Sequence, residues 1–266
     1  RPGQPFFAQV QLKYPHRPFG REPVTESRHR EAPVPPIYPD HPLARRDWAG
    51  YLKNIEALDA MVGEVLAELE RAGVAQDTIV MFFGDNGRPH VRDKQWVYNG
   101  GLHVPLIVRW PGRVPAGRES DDPFIGTDLL PTLAAAAGAK LTRGVALDGR
   151  DVLPLWLGSA EADPDRALTW HFPYYHPETG YAAARPAIGV DDFAVSQTRP
   201  HSSLRVGCWK LLHFYEDNRD ELHDLAADPS EQRDLASSDP ARTRILRARL
   251  ESELRAQGAR LPSRTQ

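Results

Sequence analysis

The chain has 266 residues and a mass of 29.8 kDa, with 41% hydrophobic and 26% charged residues, which excludes a largely disordered polypeptide and allows a sizeable core. Lys and Arg number 33 against 36 Asp and Glu, a net charge of −3, so no global basic field attracts nucleic acid or anionic lipid, and any anion must be captured by a local site. Cys208 is the only cysteine, which excludes an internal disulfide and a cysteine-based zinc cage and leaves the compartment undetermined.

In chain order, "PFFAQVQL" places an apolar, strand-like run over residues 6–12, and the N-terminus lacks the basic-then-apolar pattern of a secretory signal. Such a start is expected of a chain cut from something longer. The next passage, "YPHRPFGREPVTESRHREAPVPPIYPDHP", is so proline-rich that an extended loop without regular structure is expected. From Leu43 onward Trp48, Tyr51, Leu52, Ile55, Leu58, Val62, Val65, Leu66 and Leu69 recur at spacings of three and four, predicting an amphipathic helix that Gly73 stops. "DTIVMFFGDNG" then reads as a strand closed by turn residues, so helix and strand together resemble the αβ half of a βαβ unit. "VPLIVRWPG", residues 104–112, reads as a further buried strand, and "TDLLPTLAAAAG" as a helix capped by Thr127 or Asp128 and stopped by Gly138. No run approaches the ~18 apolar residues of a membrane span.

After about residue 160 the segments shorten. "SLRVGCWKLLHFYED" holds two apolar runs around Gly207, with Cys208 read as a small buried hydrophobe inside a strand. The tail from Arg242 to Gln257 predicts a charged helix with Ile245, Leu246, Leu250 and Leu254 on one side. The expected division is an α/β unit over residues 1–160 and a smaller α+β subdomain, antiparallel strands plus a terminal helix, over 161–266. No internal repeat is visible.

In open α/β sheets ligands bind beyond the carboxyl ends of the strands, where Asp85 and Asn86 fall. Side by side they offer hard oxygen donors suited to Ca²⁺ or Mg²⁺, though two residues are too few for a complete shell. Asp-Asn-Gly is equally a common tight turn, and local pattern alone leaves both readings open.

Beyond the turn, "KQWVYNGG" from Lys94 to Gly101 runs into "LHVPLIVRWPG". D-N-G, a downstream lysine, an aromatic-x-Gly-Gly turn and this strand together resemble the type I sulfatases of the alkaline phosphatase superfamily. "GTDLLPTLAAAAG", "LDGRDVLPL" and the segment from Ser203 to Ala236 are similar to the family in the same order, so the likeness covers nearly the whole chain. It implies an α/β fold, an alkaline-phosphatase-like sheet flanked by helices and represented by its C-terminal half. By the same resemblance Asp85 and Asn86 ligate one divalent cation, usually calcium, Lys94 contacts the sulfate ester near its bridging oxygen, and His16 touches the sulfate or the departing alcohol. Each has a plainer counterpart, a solvated loop lysine for Lys94 and a loop histidine for His16.

His90, close after the metal pair, is a candidate to face the substrate, with a surface role beside it, and His103 is read as structural. Trp170, His171, Tyr174, Tyr175 and His176 form an aromatic and histidine cluster suited either to the apolar faces of a sugar or to packing. The implied partner is a sulfated small molecule or carbohydrate, without nucleic acid or a membrane span, and relatives are often periplasmic, secreted or lysosomal.

The family's nucleophile is a formylglycine made within a C/S-x-P/A-S-R motif, and these residues contain no such motif. Cys208 lacks the neighbouring proline and arginine, and "RLPSR" has Arg260 at the critical position. The Asp-Asp metal pair is absent too. The expectation is the C-terminal portion of a sulfatase, inactive alone. Two alternatives accompany it: a two-metal phosphodiesterase or phosphomutase using His90 and Asp93, and a non-catalytic glycan-binding module.

Overall fold

The computed structural model describes residues 4–19, 23–161, 163–174 and 198–262. Two helices come first: the short α1, Glu26–Glu31, and the long α2, Pro42–Arg71. The proline-rich passage is therefore not wholly irregular. Between Pro23 and Pro33 no proline interrupts, Thr25 caps α1 by accepting from the Arg28 N–H, and the helix packs on α2. α2 ends where Gly73 takes φ +69, as its sequence predicts, and Trp48, Ala49 and Ala32 form a small core with Tyr38 and Tyr51 at its edge.

Strands β1, Val80–Phe83, and β2, Leu106–Arg109, pair antiparallel with Val80 opposite Arg109. The 84–105 connection holds only the single-turn helix α3, Asn99–Leu102, too short for a parallel crossover. Although α2 leads into β1 as expected, the βαβ expectation is corrected because residues 6–12 supply no strand before the helix. The expected burial of β2 is corrected as well. Among the described residues β1 and β2 form a two-stranded sheet with no third strand beside it, and Phe83 and Ile107 stay 44% and 60% exposed. Residues 6–12 form no strand for the same physical reason, since no edge pairs with them, and Phe7 is 83% exposed.

Helix α4, Leu129–Ala136, and the short α5, Leu153–Trp156, follow. The two motifs that contain them meet. Asp128 is fully buried and accepts from Arg166 (2.7 and 2.9 Å) and from the Arg150 backbone N–H (2.9 Å), while Thr132 Oγ1 accepts from the Val152 N–H. A Cβ on Gly149 would lie 2.0 Å from the Thr127 carbonyl oxygen, so only glycine permits this approach.

The second sheet is antiparallel in the order β3, Ala167–Phe172; β4, His201–Val206; β5, Trp209–Phe214; β6, Arg219–Asp224. Gly207, φ +58, opens the two-residue β4–β5 turn, the position where a primed hairpin turn favours glycine. Cys208 is its second residue and only half-buried, which corrects its placement inside a strand. Helix α6, Pro240–Ala256, lays Leu246, Leu250 and Leu254 on Leu204, Leu211 and Leu222 of one sheet face. Ile245 does not join them and is 68% exposed, one residue off the i, i+4, i+8 row.

Strand alternation gives the other face to His201, Lys210, Leu212, Phe214, Glu221 and His223. Onto that face dock Val97 and Tyr98, from the loop that follows "GDNG". The second sheet thus becomes the platform for the loop. No helix among the described residues is long and apolar enough to cross a membrane.

Candidate active site

The site is built around the chain leaving β1. Its backbone is held at two points, by Gly84 N–H donating to the Pro105 carbonyl (3.4 Å) and Gly87 N–H to the Gly101 carbonyl (3.0 Å). A Cβ on Gly87 would come within 1.9 Å of Gly100 O, one on Gly100 within 1.7 Å of Asp93 Oδ1, and one on Gly101 within 2.0 Å of Trp96 O. Gly87 therefore lets "GDNG" rest directly on the "YNGG" backbone, and Gly100 and Gly101 let that backbone close on Asp93 and Trp96, approaches that a simple hairpin turn would not need. Between the two ties Asp85 and Asn86 are exposed, and among the described residues neither side chain has a hydrogen-bond or ion-pair partner.

The loop after Gly87 is dense with internal ties. Arg88 pairs with Asp93 (2.9 Å), which is wholly buried and also accepts from Tyr38 Oη (3.1 Å). Burial pushes the Asp93 carboxyl up, and Arg88 works against that shift. Farther on, Val97 N–H donates to His201 Nε2 (2.9 Å), whose Nδ1 donates to the Arg199 carbonyl (2.5 Å), and burial holds His201 down at about 4. Tyr98 donates to Glu221 (2.7 Å). Asn99 N–H donates to Glu231 Oε2 (2.5 Å), and its side-chain oxygen accepts from Lys210, which forms a buried ion pair with Glu231 at 2.8 Å. Burial lowers the Lys210 ammonium to about 8 while Glu231 opposes the shift.

Lys94 is the exception. It is half-buried, its backbone N–H is fixed to the Arg88 carbonyl (3.0 Å), and no carboxylate among the described residues lies within ion-pair distance of its ammonium.

His16 is exposed, and its Nδ1–H donates to the Arg17 carbonyl (2.7 Å), which leaves Nε2 free. Arg17 fastens this loop beside the site. Its Nε donates to the Pro89 carbonyl (2.8 Å) and its fork grips both oxygens of Asp47 on α2 (2.6 and 2.8 Å). Burial pushes the Asp47 carboxyl up, but His90 and Arg17 overcome that and hold it down at about 2. Sequence reasoning missed Arg17 and Asp47, because their partners lie 72 and 43 residues away and only "PHRPF" hinted at them.

His90 is buried, stacked on Trp48 at 4.2 Å with Tyr51 edge-on at 5.1 Å, and its Nε2 lies 3.3 Å from Asp47 Oδ2. Its ring is thus enclosed by aromatic side chains. Asp93, the other residue that a two-metal phosphodiesterase needs, is taken up by Arg88 and Tyr38, while His90 Nδ1 has no hydrogen-bond partner. His171 lies on the α6 face of the second sheet, opposite the face that carries the Lys94 loop, with its nitrogens bound to Ser202 Oγ (2.6 Å) and the Arg260 carbonyl (2.8 Å). The structure does not bring it to the others. Tyr175 and His176 lie outside the described residues. Among those residues no group of three His, Cys, Asp or Glu side chains is placed to hold a metal.

Two family models match the chain: sulfatase over residues 1–139 and N-sulphoglucosamine sulphohydrolase, C-terminal, over residues 87–259. The chain belongs to the sulfatase family. It is 32% identical over 182 residues to rat (Rattus norvegicus) steryl-sulfatase, covering 62% of this chain and 28% of that one. Against the ulvan-active sulfatase of Formosa agariphila it is 30% identical over 241 residues, covering 82% and 39%. A solved structure of a protein with its substrate D-glucosamine-2-N,6-O-disulfate shares the fold at TM-score 0.64 and 24% identity, covering 82% of this chain and 43% of that one. The chain thus spans less than half the length of these sulfatases, and its architecture is the alkaline-phosphatase-like α/β fold.

Proposed function

We propose that the complete protein hydrolyses a sulfate ester of a carbohydrate, with Asp85 and Asn86 holding a divalent cation, expected to be calcium, and Lys94 contacting the sulfate. One observation carries this reading: Arg88 and Asp93 neutralise each other within the loop, Arg92 is held by the Glu231 carbonyl and the Tyr98 ring, and the Lys94 ammonium is left with no carboxylate or ring beside it, while the two oxygen donors after β1 are left bare. Membership of the sulfatase family and the glucosamine disulfate bound by a neighbour of the same fold support the substrate class.

The donor set fits a hard cation. A carboxylate and an amide oxygen are oxygen ligands, both are exposed, and neither spends its lone pairs on the protein, although the shell needs further donors. When bound, the cation neutralises charge on the sulfate oxygens. The Lys94 ammonium donates to the ester oxygen, where negative charge grows as the S–O bond breaks. His16 keeps Nδ1–H on the Arg17 carbonyl, so only its imidazolium form carries a proton at Nε2 to give to the departing alcohol. Arg17, through Pro89 and Asp47, keeps the His16 loop against the segment that follows the cation ligands. A formylglycine nucleophile, supplied by sequence outside these 266 residues, would attack sulfur.

Sulfate release by the full-length protein, supplied with calcium and a sulfated monosaccharide, tests the proposal. Lys94→Ala and Asp85→Ala are each expected to lower kcat by about 10²–10³. Full turnover by either variant contradicts the assignment, and absence of turnover by the unmodified protein favours a sulfated-glycan-binding module.

A further inference from the structure

A cavity of about 320 Å³ opens on the face of the second sheet where the Lys94 loop docks. Trp96, Tyr98 and Phe214 give it aromatic walls, and Arg92, Arg199 and Arg219 bring three guanidinium groups to it. We infer that this cavity is a second anion subsite, which receives the carboxylate or second sulfate of the sugar unit next to the sulfate ester. The inference rests on the reading of Lys94 as the sulfate contact.

Arg92 carries most of the argument. It adopts φ +64, a left-handed conformation that costs a non-glycine residue free energy and points to function when the surroundings enforce it. Here they do. Its Nη2 donates to the Glu231 carbonyl (2.6 Å), and its guanidinium lies 3.9 Å from the centre of the Tyr98 ring. No carboxylate among the described residues pairs with it, so most of its five donors stay available. Arg199 and Arg219 are partly neutralised, by Glu216 at 3.3 Å and by Asp217 and Glu221, which leaves Arg92 as the uncompensated charge.

The chemistry selects the ligand. A planar guanidinium fork matches carboxylate or sulfate oxygens, and with Arg92 lying over Tyr98 and Arg219 over Phe214, it is the half-buried Trp96 that offers an aromatic face to the apolar side of a sugar ring. The volume is at the small end of the roughly 300–1,000 Å³ range of small-molecule sites, which suits one saccharide unit. Arg92 is two residues from Lys94, so their Cα atoms are at most about 7 Å apart, a span that adjacent units of one glycan bridge.

The test compares the full-length protein with the Arg92→Gln variant on three substrates: a sulfated monosaccharide, a monosulfated disaccharide with a uronate, and a disulfated disaccharide. The readout is kcat/KM on each disaccharide relative to the monosaccharide. A charge-assisted hydrogen bond predicts that this ratio falls about tenfold or more in the variant for at least one acidic disaccharide, and which one falls names the anion. An unchanged ratio for both overturns the subsite. Because Arg92 also ties its loop to the Glu231 carbonyl, Arg199→Ala serves as the second variant and is expected to lower the same ratio. If no substrate is turned over, the sulfatase reading fails separately, and calorimetric titration with the disulfated disaccharide decides the subsite. Binding weakened by the substitutions supports it, and equal binding overturns it.

Discussion

Gly87 shows how one residue turns a common turn into a site. Its α-carbon rests where a side chain would collide with the Gly100 carbonyl and the Gly101 backbone, so the strand end meets the Gly-Gly turn only because Gly87 lacks a Cβ atom. Gly87→Ala is therefore expected to destabilise the protein by about 2 kcal/mol or more, read from the urea midpoint, whereas a neutral outcome contradicts the contact. The letters D-N-G were legible in the sequence, but their partner was not, because a close approach across the loop leaves no local pattern. Lys94 was ambiguous for a related reason. Most lysines are solvated, and only the pairing of Arg88 with Asp93 and of Lys210 with Glu231, which takes up the carboxylates around this one, makes it unusual.

At the scale of elements, periodicity served where an element buries one face on a partner within the chain. α2 and α6 show this. Leu246, Leu250 and Leu254 follow the four-residue row that meets the second sheet, and Leu250→Ala is expected to cost about 2–5 kcal/mol because Leu250 is 1% exposed in that core. A loss under about 1 kcal/mol in chemical denaturation contradicts that packing. Strand-like composition misled over residues 6–12, which form no strand, and for the burial of β2, whose two-stranded sheet leaves Ile107 exposed, while α1 was concealed because prolines crowd both sides.

The docking of the 91–99 loop on the second sheet was invisible in sequence, since it runs through His201, Lys210 and Glu231, more than 100 residues away. It makes a pH-dependent claim. His201 accepts from Val97 N–H only when neutral, and burial lowers its folded pKa from 6.5 to about 4. The unfolded chain takes the proton first, so this contribution is complete above 6.5 and is lost as pH falls towards 4, on the order of 3 kcal/mol in all. Urea midpoints across that window should fall less steeply in His201→Gln than in the unmodified protein. Parallel slopes contradict the claim.

For the whole molecule, the sulfatase family and the α/β fold were legible from ordered motifs, while the division of labour between sheets was not. One sheet ends at the proposed cation ligands, and the other holds the loop that presents Lys94. His171 illustrates the difference: its aromatic neighbourhood invites a sugar-binding reading, yet strand alternation turns it to the α6 face. The proposed chemistry depends on assembling cation, lysine and substrate across these two supports. The most direct measurement is calcium titration of the full-length protein by calorimetry, alongside the Asp85→Ala/Asn86→Ala variant. The expected result is a single calcium site in the unmodified protein whose affinity falls by about 100-fold or more in the variant. Equal calcium affinity in both proteins would contradict the account.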